Sequence, residues 1–424
     1  MKIYANADEA EEILVRGKFD DAAKVAAVKE IVRDVQKRGD KALFAYAEKF
    51  DGSVLTADTV RVSEKEYQNA YKEVSEDFLV SLKKAVKNVY DYHARNPLQS
   101  DIRTENGRTT GYVVRPVRRA GIYVPGGTAP LSSSVLMGVL PAKAAGVKEI
   151  YAVTPAKGGK VDPAVLVAAK ECGVTALFKA GGAQAIAALA YGTESIPKAD
   201  VIAGPGNIFV TLAKKEVYGD VGIDMLAGPS EILIIADGRQ KEKFVAADVL
   251  SQAEHDCLSR AIVLTDDAAF AERLCEEVER QIEFLPRKDI ARASLENGGG
   301  VILVEDMRAA CELANEIAPE HLEIAAENAD ELLESIDCAG AVFLGSCTPE
   351  PVGDYFAGPD HILPTGGTAK FFQVLNQDLF LRKMSVIKFD ERAIREDGAD
   401  IVRLAESEGL RAHANAVRVR LEEK

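Results

Sequence analysis

Two hydrophobic periods alternate along this chain. From about residue 111 to 345, short apolar runs suited to strands are separated by stretches of helical spacing. Before that region, residues 21–50 place Ala26, Val28, Ile31, Val32, Val35 and Leu43 on one stripe, which predicts an amphipathic helix. Another helix is expected over 75–95, with Ser75 as its N-cap and Asn96-Pro97 as its stop. Residues 111–117 (GYVVRPV) and 121–127 (GIYVPGG) then read as strands, the latter ended by Pro-Gly-Gly. Further strands are expected at 149–154, 176–182, 200–207, 232–236, 261–265, 300–306, 322–326 and 339–345. Helical runs follow at 163–171, 183–191, 208–218 and 240–255, then up to 283, up to 317, and over 330–336. Short β-branched strands separated by ~10–15-residue helices predict parallel, doubly wound sheets. About eight such units are more than one sheet holds comfortably and suggest two modules. Beyond Pro349 the chain is irregular to about Gly367, followed by a strand at 385–389 and helical stretches at 391–408 and 410–422. That tail is too small to hold a core, so it is expected to dock on this chain or on a second copy.

Composition narrows the function classes. The 424 residues, 47% apolar and 28% charged, describe a globular protein of two or three domains. A net charge of −15 argues against a nucleic-acid partner, and no basic cluster with interleaved aromatics offsets it. The N-terminus (MKIYANADEAEE) lacks a signal-peptide apolar core, and no apolar run of ~20 residues is present. Six cysteines without CxxC spacing read as reduced, mostly buried thiols of a cytoplasmic protein.

The candidate chemistry gathers around histidines. Gln252 and His255, at i and i+3 near the end of the 240–255 run, leave one helix face and are able to share a cation. A helix-end histidine more often just meets the dipole or solvent. Cys257 lies two residues further on and reads as a buried spectator. His93 sits in a charged helical run and is expected to be a solvated surface residue. Glu320 and His321 (APEHLEI) adjoin a strand start, where a turn allows both to reach one cavity as an acid–base pair. Residues 350–361 (EPVGDYFAGPDH) read as a loop offering Glu350, Asp354 and His361, and the tail adds Glu408 and His413. Pooled, Gln252, His255, Asp354 and His413 supply two oxygens and two imidazole nitrogens, a set that suits zinc, manganese or cobalt. Glycine-rich turns at 124–130, 179–187 and 203–209 end strands, where doubly wound folds bind ligands. Three in sequence suggest an anion or nucleotide cradle, although no G-x-G-x-x-G occurs.

The stretches IDMLAGPSEILIIAD and AADVLSQAEHD resemble the signature of the histidinol dehydrogenase family. GIYVPGGTAP, GGAQAIAALAYGTESI, GPGN, APEHLE, GDYFAGPDHILPTGGTAKF and EGLRAH resemble it too, in the family's order, from about residue 10 to 420. The resemblance implies oxidation of L-histidinol through L-histidinaldehyde to L-histidine with two NAD, the last steps of histidine synthesis. It implies one zinc per subunit held by Gln252, His255, Asp354 and His413, with Glu320 and His321 as the catalytic pair. Ser230, His361 and Glu408 would contact substrate together with the zinc ligands and His321, and Tyr123, Gln184 and Asn207 would line the NAD site. The implied fold is α/β: two incomplete Rossmann-like modules, a helical N-terminal region and a helical tail that swaps in a homodimer. The implied division is an arm at 1–17, a larger domain at 18–122 plus 231–375, an inserted NAD domain at 123–230, and a tail at 376–424 packing on the partner. Two rival readings are an NAD-dependent dehydrogenase of another small alcohol, such as sulfopropanediol, and a zinc hydrolase using Glu320. Retention of His361 and Glu408, suited to an imidazole substrate, favours histidinol over the first, and the glycine turns oppose the second.

Overall fold

A computed structural model describes residues 1–15, 21–126 and 131–422. Two parallel sheets dominate it. The five-stranded sheet runs, edge to edge, Ala176–Lys179, Glu149–Thr154, Arg119–Tyr123, Val201–Ala203 and Gly222–Ile223. The six-stranded sheet runs Lys2–Tyr4, Gly299–Leu303, Arg260–Thr265, Glu231–Ala236, His321–Ala325 and Ala341–Leu344. Numbered by appearance, the first has order 3-2-1-4-5, and so does the second once its N-terminal edge strand is set aside. That is the doubly wound order lacking its sixth strand, so both modules are incomplete Rossmann-like sheets.

Burial explains why these runs become inner strands. All six residues of Glu231–Ala236 are buried, as a strand covered on both faces requires. Its alternate side chains feed opposite cores. Ile232 and Ile234 pack with the helices Glu242–Ala253 and Ala268–Ile282, and Leu233 and Ile235 with the helix Met307–Ile317. The five-stranded sheet is sandwiched in the same way. Ile122 faces the helices Ser132–Ala144 and Pro163–Cys172, and Tyr123 faces Ala22–Arg38, Gly182–Tyr191 and Ile208–Val217.

A small antiparallel sheet joins Asp101–Glu105, Arg108–Pro116 and the tail strand Leu381–Phe389. The tail helices Glu391–Ser407 and Arg411–Glu422 pack on each other, Gly398 lying under Leu421. Arg108 holds Asp397 through two hydrogen bonds of 2.6 Å, tying the tail to the small sheet. Ile102, Ile387 and Leu404 are left exposed on this unit. No described helix is long and apolar enough to cross a membrane.

The structure corrects several expectations. The stripe over 21–50 is two helices, Ala22–Arg38 and Asp40–Asp51, because Gly39 turns the chain at φ +57°. His93 is buried, its Nε2 lying 3.7 Å from the buried Asp360 carboxylate, because the last turn of Glu76–Ala94 packs against the 356–363 segment. Only Cys172 and Cys311 of the six thiols are buried, and Cys257 is exposed beyond a helix end. Glu350–Tyr355 is a helix within the expected loop. Of the 124–130 turn, residues 127–130 lie outside the described residues, as do 16 and 17 of the expected arm.

Candidate active site

Apart from His413, the residues expected to carry acid–base and metal chemistry meet at the amino edge of the six-stranded sheet. Glu231 and His321 open neighbouring strands, His321 in register with Ile232. The helix Glu242–Ala253 follows the Glu231–Ala236 strand and returns antiparallel to it, so its C-terminal end comes back to that same edge with Gln252 and His255. The helix Met307–Ile317 ends at Ala318 in the left-handed conformation (φ +49°), and Pro319 then leads into Glu320 and His321. That turn lets two adjacent side chains share one cavity: Glu320 Oε2 lies 3.7 Å from His321 Nδ1.

Glu231 organises this pair through its backbone. Its N–H donates to Glu320 Oε2 at 2.9 Å, and its carbonyl oxygen lies 3.1 Å from His321 Nδ1. A carbonyl only accepts, so His321 carries its proton on Nδ1 and leaves the Nε2 lone pair free. Nε2 has no hydrogen-bond partner and points toward Glu350 Oε1 at 3.8 Å and Asp354 Oδ1 at 3.9 Å. Burial raises the Glu320 carboxyl to about 8. Glu350 is held well above the carboxylate range by burial and by the neighbouring Asp354 charge. Its backbone N–H donates to Glu323 Oε1 at 2.8 Å, and Ser251 Oγ lies 3.3 Å from its Oε2.

Ligand atoms of His255, Glu350 and Asp354 all lie within 4.8 Å of one another. Gln252 is fully buried, and neither its amide oxygen nor its amide nitrogen has a partner. An unsatisfied buried amide is costly, and a cation bound by the oxygen offsets half of that cost. A carboxamide oxygen, an imidazole and a carboxylate are together a donor set that fits a divalent zinc-type ion. His361 Nδ1 donates to the Asp354 carbonyl at 3.0 Å, while its Nε2 faces Ser134 Oγ at 3.4 Å. Loss of hydration lowers the His361 pKa, so the ring stays neutral. Ser230 immediately precedes Glu231, half-buried at the same edge.

Glu408 and His413 behave differently. Both are exposed on the tail, and the ligand cluster among the described residues contains Glu350 rather than His413. The sequence offers Glu350 only as one carboxylate of an expected loop. Its role at the site depends on the helix Glu350–Tyr355, whose start at Pro349 was the available signal.

Tyr123, Gln184 and Asn207 stand at the opposite edge of the other sheet, just beyond its strand carboxyl ends. Tyr123 and Gln184 are buried, and the Tyr123 hydroxyl accepts the Gly182 N–H at 3.1 Å. Asn207 caps the helix Ile208–Val217, accepting from Phe209 and Val210 N–H at 3.0 and 3.3 Å. A cavity of about 710 Å³ opens on this edge, lined by Gly126, Thr154, Pro155, Lys157 and Lys160 among others. Ser134, in the first turn of its helix, reaches across to His361, so the carboxyl edge of one sheet faces the amino edge of the other.

Comparison with known proteins agrees with this architecture. The histidinol dehydrogenase family profile matches residues 14–421. A histidinol dehydrogenase from Carboxydothermus hydrogenoformans is 49% identical over 422 residues, 99% of each chain. One from Bacillus cereus is 51% identical over 399 residues, covering 94% of this chain and 92% of its own. The crystal structure of histidinol dehydrogenase from Elizabethkingia anophelis superposes with a TM-score of 0.93 at 40% identity, covering 100% of this chain and 98% of that one.

Proposed function

Because the chain belongs to the histidinol dehydrogenase family, we propose that it oxidises L-histidinol through L-histidinaldehyde to L-histidine, with two molecules of NAD and one zinc per subunit. The observation that carries this reading is the convergence of Gln252, His255, Glu320, His321 and Asp354 on one edge from separate chain segments. Gln252, His255 and Asp354 would hold the zinc, with His413 as the fourth ligand from the partner's tail. When bound, zinc supplies a positive centre that orients the substrate's amino and imidazole nitrogens.

The chain's own groups carry the proton chemistry. His321 Nε2, unpartnered and fixed in orientation by the Glu231 carbonyl, takes the alcohol proton as the carbinol carbon gives up hydride to NAD. Glu320 in its carboxylate form takes a proton from water as the water oxygen adds to the aldehyde carbon. The resulting hydrate anion gives the second hydride to a second NAD, leaving the carboxylic acid, which then releases its proton. Ser230, His361 and Glu408 complete the substrate contacts. Tyr123, Gln184 and Asn207 flank the dinucleotide on the facing sheet edge. The exposed tail, with Glu408 and His413 away from the cluster, supports a homodimer in which each tail completes the other site. The six free thiols suit a cytoplasmic setting.

The test is reduced-cofactor absorbance with L-histidinol and NAD. Two NADH per histidinol, with little aldehyde released, is the expected result. One NADH and an accumulating aldehyde would remove the second oxidation, and no NADH would remove the reading altogether.

A further inference from the structure

The turn that carries Asn207 is held from beneath by a buried ion pair that has no part in the chemistry above. Lys214 lies on the inner face of the helix Ile208–Val217, its side chain 2% exposed, and it pairs with the 1%-exposed carboxylate of Asp224. Asp224 follows the edge strand Gly222–Ile223, and its N–H donates to the Ile202 carbonyl. Both groups close on the backbone of one residue, gripping the two peptide units that flank it. Lys214 Nζ donates to the Gly204 carbonyl at 3.1 Å, and the Gly204 N–H donates to Asp224 Oδ2 at 2.8 Å. The second carboxylate oxygen accepts the Met225 N–H at 2.7 Å. Gly204 has φ +124° and lies so close to the Tyr123 carbonyl that an added Cβ would sit 2.1 Å from its oxygen.

Placing a lysine and an aspartate in an alanine- and valine-rich core is costly, and an apolar pair of similar volume would serve stability as well. What an apolar pair cannot do is hold the N–H and the C=O of one glycine at the same time. We propose that Lys214 and Asp224 are positioning residues for the dinucleotide. By fixing the Gly204 peptide against Tyr123, they set the direction in which Asn207 and the first N–H groups of its helix leave the sheet edge. The proposal rests on the NAD site being at this edge.

The test is the variant Lys214→Met/Asp224→Asn in the full-length, metal-loaded enzyme, which removes both charges and strands neither. The dissociation constants of NAD and NADH are read by titration, alongside KM for histidinol and NAD and the metal content. Weakening of NAD and NADH by at least tenfold is expected, with metal content and histidinol KM within twofold of wild type. Lys214→Gln/Asp224→Asn, which also removes both charges but keeps a polar group toward each side of Gly204, should weaken NAD less but still measurably, and it serves as the deciding variant should the first not fold. Unchanged dinucleotide affinity in a folded variant overturns the clamp. Gln184→Ala separates the two ideas. If it weakens NAD while the clamp variant does not, only the clamp fails; if neither weakens NAD, the site itself is elsewhere.

Discussion

Replacing Glu320 with Gln should split the two oxidations and also remove one pH trend in stability. Glu320 is 6% exposed, and burial lifts its carboxyl from 4.5 to about 8. The Gln carboxamide keeps an oxygen for the Glu231 N–H, so the turn before His321 should survive. It cannot take a proton, and losing a positioned base costs about 10²–10⁴-fold in rate. That loss belongs to aldehyde oxidation, where water must be activated. Alcohol oxidation, served by His321, should fall by no more than about tenfold. In the wild type, aldehyde oxidation should climb as pH rises through about 8, because only the ionised carboxyl is a base.

Stability moves the other way. Between pH 4.5 and 8 the folded protein holds a proton on Glu320 that the unfolded chain has released. The group is therefore neutral toward stability below about 4.5 and increasingly destabilising up to about 8. At about 1.4 kcal/mol per pH unit the full penalty is roughly 5 kcal/mol as an upper bound. Glu320→Gln lacks it, so the metal-free variant should melt at the wild-type temperature near pH 4.5 and above it near pH 8. Stopped-flow assays started from histidinol and from histidinaldehyde, with melting curves across pH, decide the matter. Equal rate losses in both half-reactions would refute the assignment of Glu320 to water activation, and a melting difference independent of pH would refute the buried-proton argument.

His255→Ala should lose bound metal, measured by elemental analysis after dialysis, together with nearly all turnover; Gln252→Glu, which keeps an oxygen donor, should retain the metal. Chelator-stripped protein turning over histidinol at the native rate would contradict both. A refolded mixture of His255→Ala and His413→Ala subunits should recover about a quarter of wild-type activity, since half of randomly paired dimers hold one intact site; mixed dimers confirmed by mass yet inactive would exclude a tail acting in trans. Gly204→Ala should lower the melting temperature, because its Cβ would meet the Tyr123 carbonyl oxygen at 2.1 Å in a backbone conformation that disfavours side chains. That cost is about 3 kcal/mol or more, and an unchanged melting point would show that the turn is not held as described.

The sequence by itself determined the alternation of strands and helices, because hydrophobic period and β-branched runs are local properties of the chain. It determined the parallel, doubly wound class, and its residue types marked Gln252 and His255 as candidate cation ligands and, separately, Glu320 and His321 as a candidate acid–base pair. Breaks set by single residues were less legible: Gly39 splits one apolar stripe into two helices through its left-handed turn, and periodicity does not report φ. Burial of His93 is not legible locally, because a charged helical run looks solvated until the 356–363 segment is laid against its last turn. Sheet order was beyond reach as well, since hydrogen bonding between strands far apart in the chain leaves no local period. That order decides the site. Glycine turns at strand carboxyl ends pointed to one sheet edge, whereas the acid–base pair lies at an amino edge, where a returning helix delivers Gln252 and His255 beside Glu231 and His321. Only the tertiary structure made that meeting visible, because antiparallel return of a crossover helix is a property of packing on a sheet and not of any residue in it.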